Sequence, residues 1–193
     1  MTWTDPKTFE VGEKLRAADM NTYVRDNTEY LYRTPQIAVR LMDEQTVDNA
    51  VDHTVQWSTP VWGTAGMWDP GAPQTIVIPR AGVYTIIFQL LWGQATEDQP
   101  TKRAAFLAVN GTRRRGMQVP AVQPSEFQLA IDTNLADGDE VTFEVRHTAG
   151  EQMVLQPFRT LATVRWSSAP PAAWEDPGEP APPLGTGAQI AIP

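Results

Sequence analysis

Apolar and polar residues alternate in steps of two through most of this chain, and the alternation fails in one place. Over residues 83–92 both parities are apolar: Tyr84, Ile86, Phe88, Leu90 and Trp92 on one side, and Val83, Thr85, Ile87, Gln89 and Leu91 on the other. A strand of that composition is expected to be buried on both faces. Around it the period-two pattern predicts about ten strands, at 36–42, 52–58, 74–79, 83–92, 103–109, 113–119, 126–131, 140–147, 152–156 and 160–166. Asn110-Gly111 and Asp137-Gly138 fall between apolar alternations, where residues that tolerate positive φ mark tight hairpins. Many short strands separated by turns argue an all-β antiparallel sandwich.

The two ends of the chain have a different texture. In residues 1–35 the positions Ala17, Met20, Val24, Asn27 and Leu31 recur at steps of three and four, which predicts an amphipathic helix that Pro35 terminates. Its stripe fits either a short coiled-coil seam with Asn27 setting the register or a face packed on a sandwich. Trp3 and Phe9, in the polar stretch before it, read as anchors for another surface. Residues 167–193 hold seven of the 17 prolines and no basic residue. Proline lacks the amide donor and fixes φ, so this segment reads as an extended arm. Trp174, Leu184, Ile190 and Ile192 space apolar contacts along it, as docking into pockets on adjacent copies requires. The domain reading is therefore 1–35 attachment segment, 36–166 sandwich and 167–193 arm.

Charge and chemistry narrow the function. The 15 basic and 23 acidic side chains leave a net charge of −8, which opposes non-specific attraction to nucleic acid and to anionic membranes. There is no cysteine, so the fold rests on burial alone or on burial shared with partner subunits. The N-terminus carries no charged-then-apolar leader pattern, and a soluble protein made in the cytosol is expected. The only histidines, His53 and His147, lie far apart, and His147 runs into a turn where a solvated imidazole is expected. No zinc spacing and no Gly-x-Ser-x-Gly context exists. The acids of Ile131–Glu140 do not match a calcium loop and read as turn residues, as Asp and Asn commonly are. Arg113, Arg114 and Arg115 form the one basic run, suited to solubilising an edge or to meeting the acidic arm of a neighbour. No enzyme activity, cofactor or metal is expected.

Two resemblances add to this. Gly82-Val83-Tyr84 opening a long strand, the Asn110-Gly111 turn, Leu135 with Gly138-Asp139-Glu140-Val141, and a last strand through Trp166 resemble, in that order, the jelly-roll domain of the C1q and tumour-necrosis-factor superfamily over 36–166. Where that family has an aromatic-glycine-phenylalanine phrase, this chain has Pro157-Phe158-Arg159. The resemblance implies a ligand-binding homotrimer joined through aromatic and apolar faces. Trp57, Trp62, Trp68, Tyr84 and Phe88 are the side chains expected at that interface.

The segment with Trp3, Gly12-Glu13, Ala17-Ala18-Asp19-Met20-Asn21 and Arg25-Asp26-Asn27 resembles the opening of many tailed-bacteriophage structural proteins. Arg16 stands where a helix-capping threonine is usual. This second resemblance implies a virion protein assembled in the host bacterial cytoplasm. It would be fastened to other virion proteins through Trp3, Phe9, Met20, Val24, Asn27 and Leu31, with the jelly roll displayed outward. A minor tail protein contacting a host-surface glycan or protein is the expectation, and a capsid decoration or head-fibre protein is the alternative.

Overall fold

A computed structural model describes residue 4 and residues 7–93, 101–121 and 125–169. The C-terminal arm, with Trp174, Leu184, Ile190 and Ile192, and the anchor Trp3 lie outside the described residues.

The chain divides after Pro35 into two units. The first contains one helical run. It begins as α-helix at Ala17–Asp19, winds as π-helix through Met20–Asp26 and returns to α-helix at Asn27–Tyr32. Arg16 occupies the N-cap without a side-chain cap, and Arg33 leaves helical geometry two residues before Pro35. The π-wound stretch bonds each amide five residues back, so a stripe spaced for the α-helix does not stay straight through it.

The second unit carries twelve strands among the described residues: β1 Gln36–Arg40, β2 Gln45–Val47, β3 His53–Thr54, β4 Thr59–Gly63, β5 Ile76–Val77, β6 Gly82–Trp92, β7 Thr101–Val109, β8 Thr112–Ala121, β9 Ser125–Leu135, β10 Glu140–His147, β11 Met153–Leu155 and β12 Leu161–Ser168. They form two antiparallel sheets. The seven-stranded sheet runs β2-β11-β6-β12-β1-β4 with β9 on the other side of β6, and the five-stranded sheet runs β3-β10-β7-β8 with β5 beside β10. This is a jelly-roll sandwich: the alternation implied the antiparallel sandwich, and the family resemblance implied the jelly roll.

The expected strand 52–58 shortens to the two residues of β3, and β4, beyond that span, is an edge strand carrying Pro60. An edge position is where a residue without an amide donor is tolerated. Only β7 and β8 form a hairpin at the two turn signals. Asn110 and Gly111 take φ of 50° and 73° there, as a two-residue turn demands. Asp137-Gly138 instead lies in the turn that carries the chain from β9 in one sheet to β10 in the other. Asn110 ties these two turns together: its Nδ2 donates to Asp139 Oδ1 at 2.8 Å and its Oδ1 accepts from the Glu140 amide at 2.9 Å.

The core lies between the sheets. Phe88, Trp57 and Phe143 meet there at ring-centroid distances of 4.9 to 6.0 Å. Gly82 begins β6 hard against β12. A Cβ placed on it would fall 2.1 Å from Trp166 Nε1 and 2.5 Å from the Ser168 carbonyl.

Candidate assembly surface

β6 decides which surface is available, because its two faces separate. Tyr84, Ile86, Phe88, Leu90 and Trp92 are buried in the core, whereas Val83, Thr85, Ile87, Gln89 and Leu91 remain half-buried. The expectation of burial on both sides therefore holds on one face only; the second face points away from the sandwich. Directly paired residues share a face. The register accordingly lines up Trp62, Ala38, Thr163, Ile87 and Ala130 in one row across β4, β1, β12, β6 and β9. Trp62 is 46% exposed at its end.

Polar rows bracket this strip. On one side Thr85 Oγ1 donates to Asp132 Oδ1 at 2.5 Å and lies 2.8 Å from Ser167 Oγ. On the other, Gln89 and Arg159 both donate to the Glu126 carboxylate. An apolar strip edged by satisfied polar groups is the anatomy of a contact surface.

The sandwich also has an open flank. β8 pairs only with β7 and β9 only with β6, so each has one unpaired edge among the described residues. Phe127, Leu129 and Ile131 of β9 are partly buried against the core from that side.

Of the aromatic side chains expected at a trimer interface, Trp57, Tyr84 and Phe88 lie in the core, 2%, 0% and 0% exposed. This corrects the expectation: an interior ring has no surface to offer a neighbour, and the Tyr84 hydroxyl donates inward to the Arg80 carbonyl at 2.7 Å. Trp68 is half-buried against the core with its Nε1 donating to the Pro73 carbonyl at 3.1 Å. Trp62 alone of the five stands on the outer face. The residues that the sequence reading passed over are Ile87 and Ala38. Their signal was the second parity of β6 and the small residue on β1.

In the N-terminal unit Phe9, Met20, Val24 and Leu31 are exposed, and Asn27 is buried. Asn27 is not a coiled-coil register residue. Its Oδ1 accepts the Thr4 amide at 3.0 Å, and its Nδ2 donates to the Thr4 carbonyl at 2.7 Å and to the Tyr23 carbonyl at 3.2 Å. It clamps both backbone groups of Thr4 onto the helix and leaves the apolar side chains outside.

The basic run is largely accounted for within the sandwich. Arg113 donates from Nε to Glu144 at 2.6 Å, pairs through Nη2 with Asp52 at 2.7 Å and stacks 4.1 Å above the Phe106 ring. Arg115 is exposed. Asp139 accepts the Ala136 amide at 2.7 Å, the turn role expected of it. Among the described residues no group of three or more His, Cys, Asp or Glu side chains could hold a metal ion. His147 departs from expectation: it is fully buried.

Two antiparallel sheets joined in this order, with β9 and β12 flanking β6, define a jelly roll of the tumour-necrosis-factor type. Solved structures of two such proteins superpose on the chain. The Eiger TNF of S. frugiperda is 18% identical, with a TM-score of 0.52 over 75% of this chain and 98% of that one. Murine APRIL at pH 5.0 is 14% identical, with a TM-score of 0.51 over 69% of this chain and 99% of that one. No protein-family model and no curated protein sequence matches the chain.

Proposed function

We propose that the chain is a non-enzymatic bacteriophage virion protein. It works as a homotrimer, displayed on the particle as a tail-associated fibre or knob module that contacts the host surface. The observation that carries this reading is the apolar strip Trp62, Ala38, Thr163, Ile87 and Ala130 on the outer face of the seven-stranded sheet. Trp62 and Ala130 are exposed at its ends, with Thr163 and Ile87 half-buried between them, which leaves surface for a protein contact, and the partly buried Phe127, Leu129 and Ile131 of β9 on a second copy supply the apolar side chains that meet it. Three copies arranged flank to face close a ring and leave no uncovered flank.

The phage assignment is supported by the resemblance of residues 2–32 to phage attachment segments, and by exposed Phe9, Met20, Val24 and Leu31 on a unit separate from the sandwich. Fastening through one unit leaves the loops of the other for the host, whether glycan or protein.

Light scattering on the purified protein tests the assembly; a trimer mass is expected, and a monomer at micromolar concentration overturns it. Gold-labelled antibody on intact particles tests the placement. Label at the tail with binding of the protein to host cells supports adhesion. Label over the head without cell binding makes it a capsid decoration protein that reinforces the lattice, and no label on particles removes the virion reading.

A further inference from the structure

His147 ends β10 inside the sandwich with both ring nitrogens engaged. Nε2 lies 2.9 Å from the Val47 carbonyl at the end of β2, and Nδ1 lies 3.2 Å from the Ala149 amide. A carbonyl can only accept and a backbone amide can only donate, so the arrangement requires the neutral ring with its proton on Nε2. The ring stands edge-on to Trp92 of β6, with centroids 5.4 Å apart.

Around it two turns are stitched together. The Ala50 amide donates to the His147 carbonyl at 2.8 Å, and the Gly150 amide donates to Asn49 Oδ1 at 3.0 Å. Gln152 Nε2 donates to Asp48 Oδ1 at 2.7 Å. The charged groups facing the ring are Arg103, which is its buried register partner on β7, Asp48 after β2 and Glu151 after β10. Lys102, next to Arg103, is exposed; its carbonyl accepts the Thr148 amide and its amide donates to Thr148 Oγ1.

We propose that His147 is an acid-sensitive latch on this end of the sandwich: a proton taken up at Nδ1 sets two donors face to face, breaks the Ala149 contact and releases the 48–52 and 148–152 turns. The added charge is doubly disfavoured, by burial and by Arg103. Burial is the main cause that holds the imidazole below the ordinary histidine pKa. The Val47 carbonyl opposes it, the Arg103 charge adds to it, and Asp48 and Glu151 oppose it less. The unfolded chain therefore takes the proton first. The stability contributed by neutral His147 is complete above about pH 6.5 and is lost as pH falls from there through the folded-state pKa. This inference rests on the fold of the single chain and stands or falls apart from the assembly proposed above.

Because the chain has two histidines, the test is direct. Carbon-edited NMR of intact protein labelled at histidine gives two ring signals, assigned with His53→Gln. The expected result is that His147 titrates below the ordinary histidine value of about 6.5. Between about pH 6.5 and that titration the exchange protection of the Ala50, Ala149 and Gly150 amides falls by up to about tenfold per pH unit, as linkage to one proton requires. His147→Gln, which can bond both partners without titrating, removes the fall. If that variant does not fold, the wild-type titration decides alone. A His147 signal that titrates at or above about 6.5, or amides equally protected throughout, overturns the latch.

Discussion

Neighbouring residues 87 and 88 on β6 separate assembly from folding, and substituting each in turn is the sharpest check on the proposed surface. Phe88 is fully buried with its ring 4.9 Å from that of Phe143. Phe88→Ala removes a packed ring and leaves a cavity, at about 3–5 kcal/mol. Against a domain stability of about 5–15 kcal/mol, that is a large share of the whole. Ile87 points the other way, between Thr163 and Ala130. Ile87→Lys leaves the core intact and removes from each interface the part of one aliphatic side chain that a single copy leaves uncovered, about a third of a full burial or about 0.5–1 kcal/mol. Summed over three copies this is about 1.5–3 kcal/mol, or about one to two orders of magnitude in the association constant at ~1.4 kcal/mol per tenfold, and covering the lysine ammonium adds its desolvation cost. Light scattering with thermal unfolding followed by near-ultraviolet circular dichroism reads both effects. Ile87→Lys should run as a folded monomer with near-native tertiary signal, and Phe88→Ala should melt far lower. The surface argument is refuted if Ile87→Lys keeps the native mass and melting temperature, or if it unfolds the chain as Phe88→Ala does.

Three further outcomes follow from single contacts. Gly82→Ala forces a methyl group into Trp166 and the Ser168 carbonyl, so it should lower stability by about 1–3 kcal/mol or more, seen as a lower denaturant midpoint. Arg113→Ala loses two half-exposed ion pairs and a ring contact, together about 1–2 kcal/mol, and the loss should shrink in high salt. Because its partners Asp52 and Glu144 belong to the sandwich, cutting the chain after residue 169 should leave that effect unchanged, as parallel melts of intact and shortened protein will show. Asn27→Ala frees the Thr4 backbone it clamps, so the Thr4 amide should exchange faster by hydrogen-exchange mass spectrometry while the melting of the sandwich stays the same.

Much of the fold is legible because local chemistry dictates it. Asn110-Gly111 announces its hairpin through the φ that few other residues tolerate, and β6 and β10 show their core faces by alternation. Long-range partnership is what the pattern does not carry. β2 is three residues long and becomes a strand only because β11 lies beside it. The Asp137-Gly138 turn looks like a hairpin, yet the strands it joins belong to different sheets. The two parities of β6 are almost equally apolar, so its inward face is decided by the opposite sheet and not by its own residues. The same limit misassigns Trp57, Tyr84 and Phe88 to an interface, and misses the burial of His147 and Arg103, whose polarity suggests solvent.

The last strand of the sandwich, β12, lies in the middle of its sheet. It pairs with β1 on one side, Gln36 opposite Arg165, and with β6 on the other, Trp166 opposite Tyr84. A nascent chain therefore holds two half-sheets with facing raw edges until the ribosome has released residue 168. Closure of so non-local a sheet is slow by its topology, and throughout synthesis those edges are exposed to the same edges on neighbouring nascent chains. The protein's yield in the cell should thus depend on how fast that strand emerges and on what shields the gap until it does.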